Sequence, residues 1–549
     1  MASRLRQEFV ERGGIEVADV SVRAYPEETN FVVYVNAADF TKAAEIGNDL
    51  DSLVSTEVHP AFVVVRRASP EQVRATAAPP LKTGVQDIRA TELVKLISAR
   101  SRVSKVQPAL YYKKDIRSSI SAVTAGRHHL IFGRRGAGKT ALLVEAMNQL
   151  NKDGALTCWV NVQTLRNESV DRVFLYVVEE LLGAIVTRQR QSKLATSVAR
   201  MADELYSRVA QLLNERDTSR IDAERLIPRI SQLIQRFLEQ SGARLFVFLD
   251  DFYYLPRSEQ PRILDMLNSC VRESEAWLKV ASIRHLTRWF QTSPPVGLQT
   301  VQDADLIDLD VTLQDPALAK EFLEGILEEY ARRVGINHLG GLFNAKALDR
   351  LVLASGAVPR DYLVLASNTI IKAQSRSSAR LVGAQEVNQA AGDAAAIKLQ
   401  ELEEDMAANI DVAERTVRAL TLVRRFCLEE TNYTYFLIDY RDKEENPSVY
   451  SVLTDLMDVR LVHLVDSSVS NPHAAGQRAE AFMLDLSQFS GSRLKQGIQV
   501  LDFQGGRLVA RKTRSADPAR VGGTPLQLIA ILRVAPRLEL SRFTELIPE

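Results

Sequence analysis

Cysteine is almost absent: the chain has three in 549 residues, Cys158, Cys270 and Cys427, with no CxxC spacing among them. Their neighbours are apolar (Trp159, Val271, Phe426), which points to buried free thiols in a reducing compartment and excludes a disulfide framework. Histidine is scarce too, at seven, and no His/Cys/Asp set has zinc-ligand spacing. Net charge is zero, because 69 basic residues cancel 69 acidic ones. No global pull toward nucleic acid or membrane follows, and any such binding needs a local patch. No apolar run approaches the roughly 18 residues of a membrane span. The opening MASRLRQEFVERGG is charged and lacks the apolar centre of a signal peptide. These absences predict a cytoplasmic protein with no membrane partner.

What is present is a globular composition, 46% hydrophobic and 25% charged, in a chain too long for one core. Residues 1–80 read as a small α/β domain, with IEVADVSVRA, NFVVYVN and PAFVVVRRA as strands and an amphipathic helix before the last. A helical linker over 81–105 leads into 106–312, where strand and helix alternate as in a parallel sheet covered by helices on both faces. HHLIFG, ALTCWVNV, RLFVFLD, LKVASI and ADLIDLD are its strands. The stretch near 165–240 is too long for a structureless loop and reads as a helical insertion. Residues 313–405 are almost wholly helical, and 406–549 place helices before a hairpin, the order of a winged helix.

The run Gly133-Arg134-Arg135-Gly136-Ala137-Gly138-Lys139-Thr140 matches GxxxxGK[ST] in full. It follows an apolar strand and opens a helix at Ala141, the context in which that motif cradles phosphate. Glycines let successive N–H groups face the phosphates, and the helix N-terminus adds its dipole. Lys139 would reach the β- and γ-phosphates, and the Thr140 hydroxyl would sit on Mg²⁺. Such a loop needs a carboxylate at the end of a neighbouring buried strand. LFVFLDDFYYL supplies one, with Asp250 for the metal and Asp251 to orient the attacking water. No NKxD element stands after a later strand, so ATP is preferred over GTP.

From IFGRRGAGKT through FLDDFYYL, LKVASIRH and SGAVPRD, the chain resembles the AAA+ and STAND ATPases, nearest to the origin-recognition-complex branch. The resemblance covers about residues 106–405 and, more loosely, the winged helix. It implies a P-loop sheet with a helical lid that closes over nucleotide. It further implies that Ser282 and Arg284, after LKVA, sense the γ-phosphate, and that Pro359 and Arg360 contact nucleotide from the lid. Where many members carry Glu, this chain has Asp251, one methylene shorter, so hydrolysis is expected to be slow or partner-stimulated. Arg272, Arg284 and Arg288 all remain open as a finger acting on a neighbouring subunit.

The expected function is an ATP-driven switch that couples nucleotide state to assembly with a protein partner or with further copies of itself, as in STAND signalling and prokaryotic defence. One alternative is a DNA-binding ATPase. Against it, the expected recognition helix PSVYSVLTDLMDVR is acidic. For it stands a basic stretch of Arg493, Lys495, Arg507, Arg511, Lys512, Arg514 and Arg520. The other alternative is a scaffold that holds nucleotide without turnover.

Overall fold

The computed structural model describes all residues except 1, 25–27, 56–59, 69–83, 106, 108–118, 192–195, 216–219, 285, 406–409, 472–475, 492–494, 505–506, 514–519, 522–523, 526 and 547–549. The chain divides into two compact units, residues 1–82 with 331–339, and residues 83–330 with 340–549.

In the first unit, helix α1 (Ala2–Gly13) precedes strands β1 (Val17–Ala24) and β2 (Thr29–Val35), helix α2 (Phe40–Val54) and strand β3 (Ala61–Arg67). The sheet order is β1-β2-β3, antiparallel and then parallel. Parallel pairing needs a crossover, and α2 provides it. Ala43, Ile46, Leu50 and Val54 recur at helical spacing on α2 and are buried with Val33, Val35 and Val63 of the strands. Leu5 and Phe9, four apart on α1, join the same core. That helix was not legible as such, because two apolar residues among charges make a short stripe.

The second unit begins with α3 (Ile88–Arg100) and α4 (Ser119–Val123). Strand β4 (His128–Phe132), helix α5 (Lys139–Lys152) and strand β5 (Leu156–Asn161) follow. Three long helices, α6 (Val170–Gln191), α7 (Thr196–Asn214) and α8 (Arg220–Ser241), separate β5 from β6 (Leu245–Asp250). Then come α9 (Gln260–Val271), β7 (Ala276–Ser282), a short hairpin of β8 (Phe290–Thr292) and β9 (Pro295–Gly297), and β10 (Ala304–Asp308).

The five strands read from the sequence form one parallel sheet in the order β10-β4-β7-β6-β5. Every residue of β6 is buried, as expected of a central strand covered on both faces. Val247 and Leu249 point into the core that holds α6–α8, and Phe246 and Phe248 into the opposite core with Leu142, Leu143 and Met147 of α5. The register aligns Asn161 with Asp250 and Phe132 with both Ser282 and Asp308. The carboxyl ends of the strands therefore share one edge, where open parallel sheets place ligands.

Helices α10 (Pro316–Arg333), α11 (Ala345–Ala354), α12 (Pro359–Gln374), α13 (Ala384–Asp405) and α14 (Ile410–Arg425) come next. Strand β11 (Tyr435–Asp439), helices α15 (Tyr440–Glu445) and α16 (Pro447–Asp458), and strands β12 (Val462–Ser470) and β13 (Arg478–Leu484) complete a helix–strand–helix–helix–strand–strand run. Its three strands are antiparallel in the order β11-β13-β12, which fits a winged helix. A second hairpin, β14 (Gln499–Gln504) and β15 (Arg507–Lys512), docks on α11 through Arg350, whose guanidinium lies 3.1 Å from Asp502.

Two sequence expectations change here. Helix α16 exposes only Pro447 and Ser448, the rest being buried or half-buried, so it offers no free recognition face in this arrangement. The basic stretch is partly spent internally: Arg511 is bonded to Asp502, and Lys495 donates to Leu428 O at 2.6 Å. Arg507 and Lys512 are exposed, whereas Arg493 and Arg514 lie outside the described residues. The three cysteines are free and buried. Among the described residues no helix is long and apolar enough to cross a membrane.

Candidate functional site

The loop between β4 and α5 needs glycine for two reasons. Gly136 and Gly138 have φ of 80° and 102°, in the left-handed region. A Cβ on Gly136 would lie 2.8 Å from the Cβ of Arg360, so the loop also permits close approach of the segment that opens α12. The Arg360 amide donates to Gly136 O at 3.3 Å. Floor and roof of the site therefore touch at this point.

Between them lies a cavity of about 510 Å³. Arg135 to Ala141 of the loop line it, as do Asp250, Asp251, Pro359 and Arg360, so most residues singled out in the sequence converge there. Helix α10 adds Phe322, Ile326 and Tyr330, α12 adds Leu363, and residues 100–105 add a further wall, tied to α10 where the Tyr330 hydroxyl donates to Arg100 O at 3.0 Å. One region thus offers loop amides and cations suited to phosphates, and another offers apolar side chains suited to a flat base.

Thr140 Oγ1 donates to Asp250 Oδ2 at 2.9 Å, and the Asp251 amide donates to Asp250 Oδ1 at 3.0 Å. Burial pushes the Asp250 carboxyl up to about 7, and the charge of Asp251 adds to the shift. Burial raises Asp251 as well, opposed by Lys139 and Arg135. A buried carboxyl next to a half-buried one, beside a hydroxyl, forms a donor set that a divalent cation would neutralise, so Thr140 and Asp250 fit Mg²⁺. Lys139 is buried, with Nζ donating to Gly133 O at 2.7 Å and to Arg134 O at 3.1 Å. Burial lowers its pKa, and Asp251, Asp310, Asp250 and Asp458 oppose that. Arg135 lies over the Tyr253 ring, 5.5 Å from its centroid.

Four expected residues stand elsewhere; Gly133, whose carbonyl accepts from Lys139 Nζ, is outside the cavity lining. Arg134 is turned under the loop: its amide donates to Asp310 Oδ1 at 2.8 Å, and its guanidinium donates to Val311 O and Gly356 O. It braces the loop against the segment before α12 and does not line the cavity. Ser282 sits at the expected strand end but is fully buried and shares its hydroxyl hydrogen bond with Thr287. Arg284 is exposed and outside the cavity lining, and Arg272 and Arg288 are exposed too. The cavity also includes Trp159, Asn161, Gln163, Tyr253 and Tyr254, which the motifs did not flag. Their one sequence signal is position, since they sit at or just past the carboxyl ends of β5 and β6.

Residues 114–276 match a family model described as an AAA ATPase domain. No curated protein matches the chain. Among solved structures, a Walker-type ATPase of Pyrococcus abyssi is 12% identical, covering 69% of this chain and 97% of its own, with a TM-score of 0.37. The Aeropyrum pernix ORC1 protein, solved in complex with DNA, is 15% identical, covering 76% and 91%, with a TM-score of 0.32. A STAND protein with a tetratricopeptide repeat sensor from Pyrococcus horikoshii is 14% identical, covering 69% of this chain and 42% of its own, with a TM-score of 0.26.

Proposed function

We propose, from the premise that the chain carries an AAA ATPase domain over residues 114–276, that it is an ATP-hydrolysing switch whose nucleotide state governs assembly with a protein partner. In this reading the triphosphate lies along Arg135–Thr140, with Lys139 leaving its loop carbonyls for the β- and γ-phosphate oxygens. Arg360 adds positive charge from the roof, and Pro359 packs beside the nucleotide. Thr140 and Asp250 would hold Mg²⁺, which supplies charge neutralisation at the phosphates. Asp251 accepts the proton of the attacking water.

The observation that carries the switch is the continuity between this site and the C-terminal elements. Arg134 under the loop donates to Gly356 O. Gly356 lies so close to the imidazole of His463 on β12 that a Cβ there would approach within 2.2 Å. Five residues beyond Gly356, Asp361 pairs with Arg460, which follows α16. A shift of the roof with nucleotide state would be felt directly by β12 and α16.

The absence of exposed basic side chains on α16 favours a protein partner over DNA. A defence role is the biological setting in which we would seek that partner. The test is ATP binding, turnover and oligomeric state for the wild type and Lys139→Ala, each with and without duplex DNA. The reading expects ATP binding and ATP-dependent assembly in the wild type, both lost in Lys139→Ala and both indifferent to DNA. Severalfold stimulation of turnover by DNA would support the DNA-acting alternative. Bound nucleotide with no turnover would leave a scaffold.

A further inference from the structure

We propose that Gln163 orients the water that attacks the γ-phosphate, supplying a reach that Asp251 lacks. The proposal rests on the hydrolytic reading above. Asn161 faces Asp250 across the β5–β6 pair, so the turn after β5 (Val162–Leu165) opens beside the two acids. Gln163 on that turn lines the same cavity as Thr140, Asp250 and Asp251.

Its position is held at both ends. Asn161 Oδ1 accepts the Gln163 amide at 3.0 Å, which fixes the backbone of the turn. Gln163 Nε2 donates to the Tyr254 hydroxyl at 3.1 Å, which fixes the side chain. Tyr254 in turn packs on Tyr253 with ring centroids 4.5 Å apart, and Tyr253 lies beneath Arg135 of the phosphate loop. The carboxamide is thus anchored through its donor end, and its oxygen remains the group able to accept from water in the cavity. Trp159 lines the cavity on the same strand and adds an apolar wall.

Asp251 is poorly placed to do both jobs. Its backbone is left-handed, with φ of 56°, and its amide is tied to Asp250, so the one-methylene side chain starts from a fixed point. Glutamine has two methylenes and a planar end that both donates and accepts. It is neutral and too weak a base to take the proton, so the roles divide. The water oxygen, aligned by Gln163 Oε1, forms the new bond to the γ-phosphorus. The bond from that phosphorus to the β–γ bridging oxygen breaks, ADP leaves with the electron pair, and the water proton passes to the Asp251 carboxylate.

The experiment is steady-state ATP turnover beside equilibrium binding of a fluorescent ATP analogue, for wild type, Gln163→Ala, Gln163→Glu and Tyr254→Phe, with melting curves to check folding. Gln163→Ala should lower kcat by about tenfold or more with analogue affinity nearly unchanged. Gln163→Glu keeps an acceptor oxygen in place and should retain most of the turnover. Tyr254→Phe should give an intermediate loss. Unchanged kcat in Gln163→Ala would overturn the proposal, as would an equal fall in kcat and affinity, or a Gln163→Glu variant as slow as the alanine one. A wild type that binds the analogue without turnover would overturn this role and the hydrolytic reading together, while leaving nucleotide binding intact.

Discussion

At Asp250 the fold buries a carboxyl next to another and gives it one hydroxyl and one amide donor. A pKa near 7, against 3.8 for the ordinary side chain, means the folded protein keeps this proton through a window in which the unfolded chain has lost it. The contribution to stability is therefore largest below about pH 4 and falls as pH rises toward 7. In metal-free protein, Asp250→Asn should melt higher than wild type at pH 8, by an amount on the order of a few degrees, and close to wild type near pH 4. Paired melts in chelator check this. If Mg²⁺ binds at Asp250 as proposed, it must displace that same proton, so its affinity should fall below pH 7 in wild type. Nothing in the letters DD fixes this environment. The pair was legible as a candidate metal site because an apolar strand precedes it, but its proton affinity depends on burial that only the packed sheet creates.

At the scale of elements, the sheet was read from its strands with little loss. HHLIFG, RLFVFLD and LKVASI are apolar runs of strand length between helices, and such runs have one stable solution, burial on both faces. Phe248 belongs to that solution, fully buried between β6 and α5. Phe248→Ala should cost about 3–5 kcal/mol, readable as a lowered denaturation midpoint in urea. The phosphate loop was legible for a different reason, since its chemistry demands residue types at fixed spacing. What escaped has neither property. Gln163 and Tyr254 lie on short 3₁₀ turns, where no periodicity operates, and their partnership spans 91 positions of sequence. Arg134 sits inside the motif yet faces away from the cavity, because its acceptors, Asp310, Val311 O and Gly356 O, lie 176 to 222 positions later in sequence. The burial of Ser282 against Thr287 was hidden likewise: LKVASI ends as a sensor strand would, and only the following turn closes over the hydroxyl.

In the second unit, Gly356, which accepts from Arg134 of the phosphate loop, packs against His463 of β12 with no room for a Cβ. Gly356 and Ala357 are both left-handed, with φ of 55° and 62°, so the segment is held in a conformation that side chains resist. Gly356→Ala should push the imidazole away and loosen β12, seen as faster amide exchange over residues 462–470. Adding His463→Ala should restore the slower exchange by removing the obstacle. If exchange in Gly356→Ala matches wild type, the contact does not hold the two parts together. The whole sequence sums to zero, yet the cavity is lined by six basic side chains (Arg100, Arg102, Lys105, Arg135, Lys139, Arg360) and two acidic ones (Asp250, Asp251), an excess of four. A protein of zero net charge thereby gathers positive side chains around this mouth. Polyanions are steered to it from beyond contact distance, and the speed of capture, unlike the fit of the captured ligand, is set by the salt around the molecule.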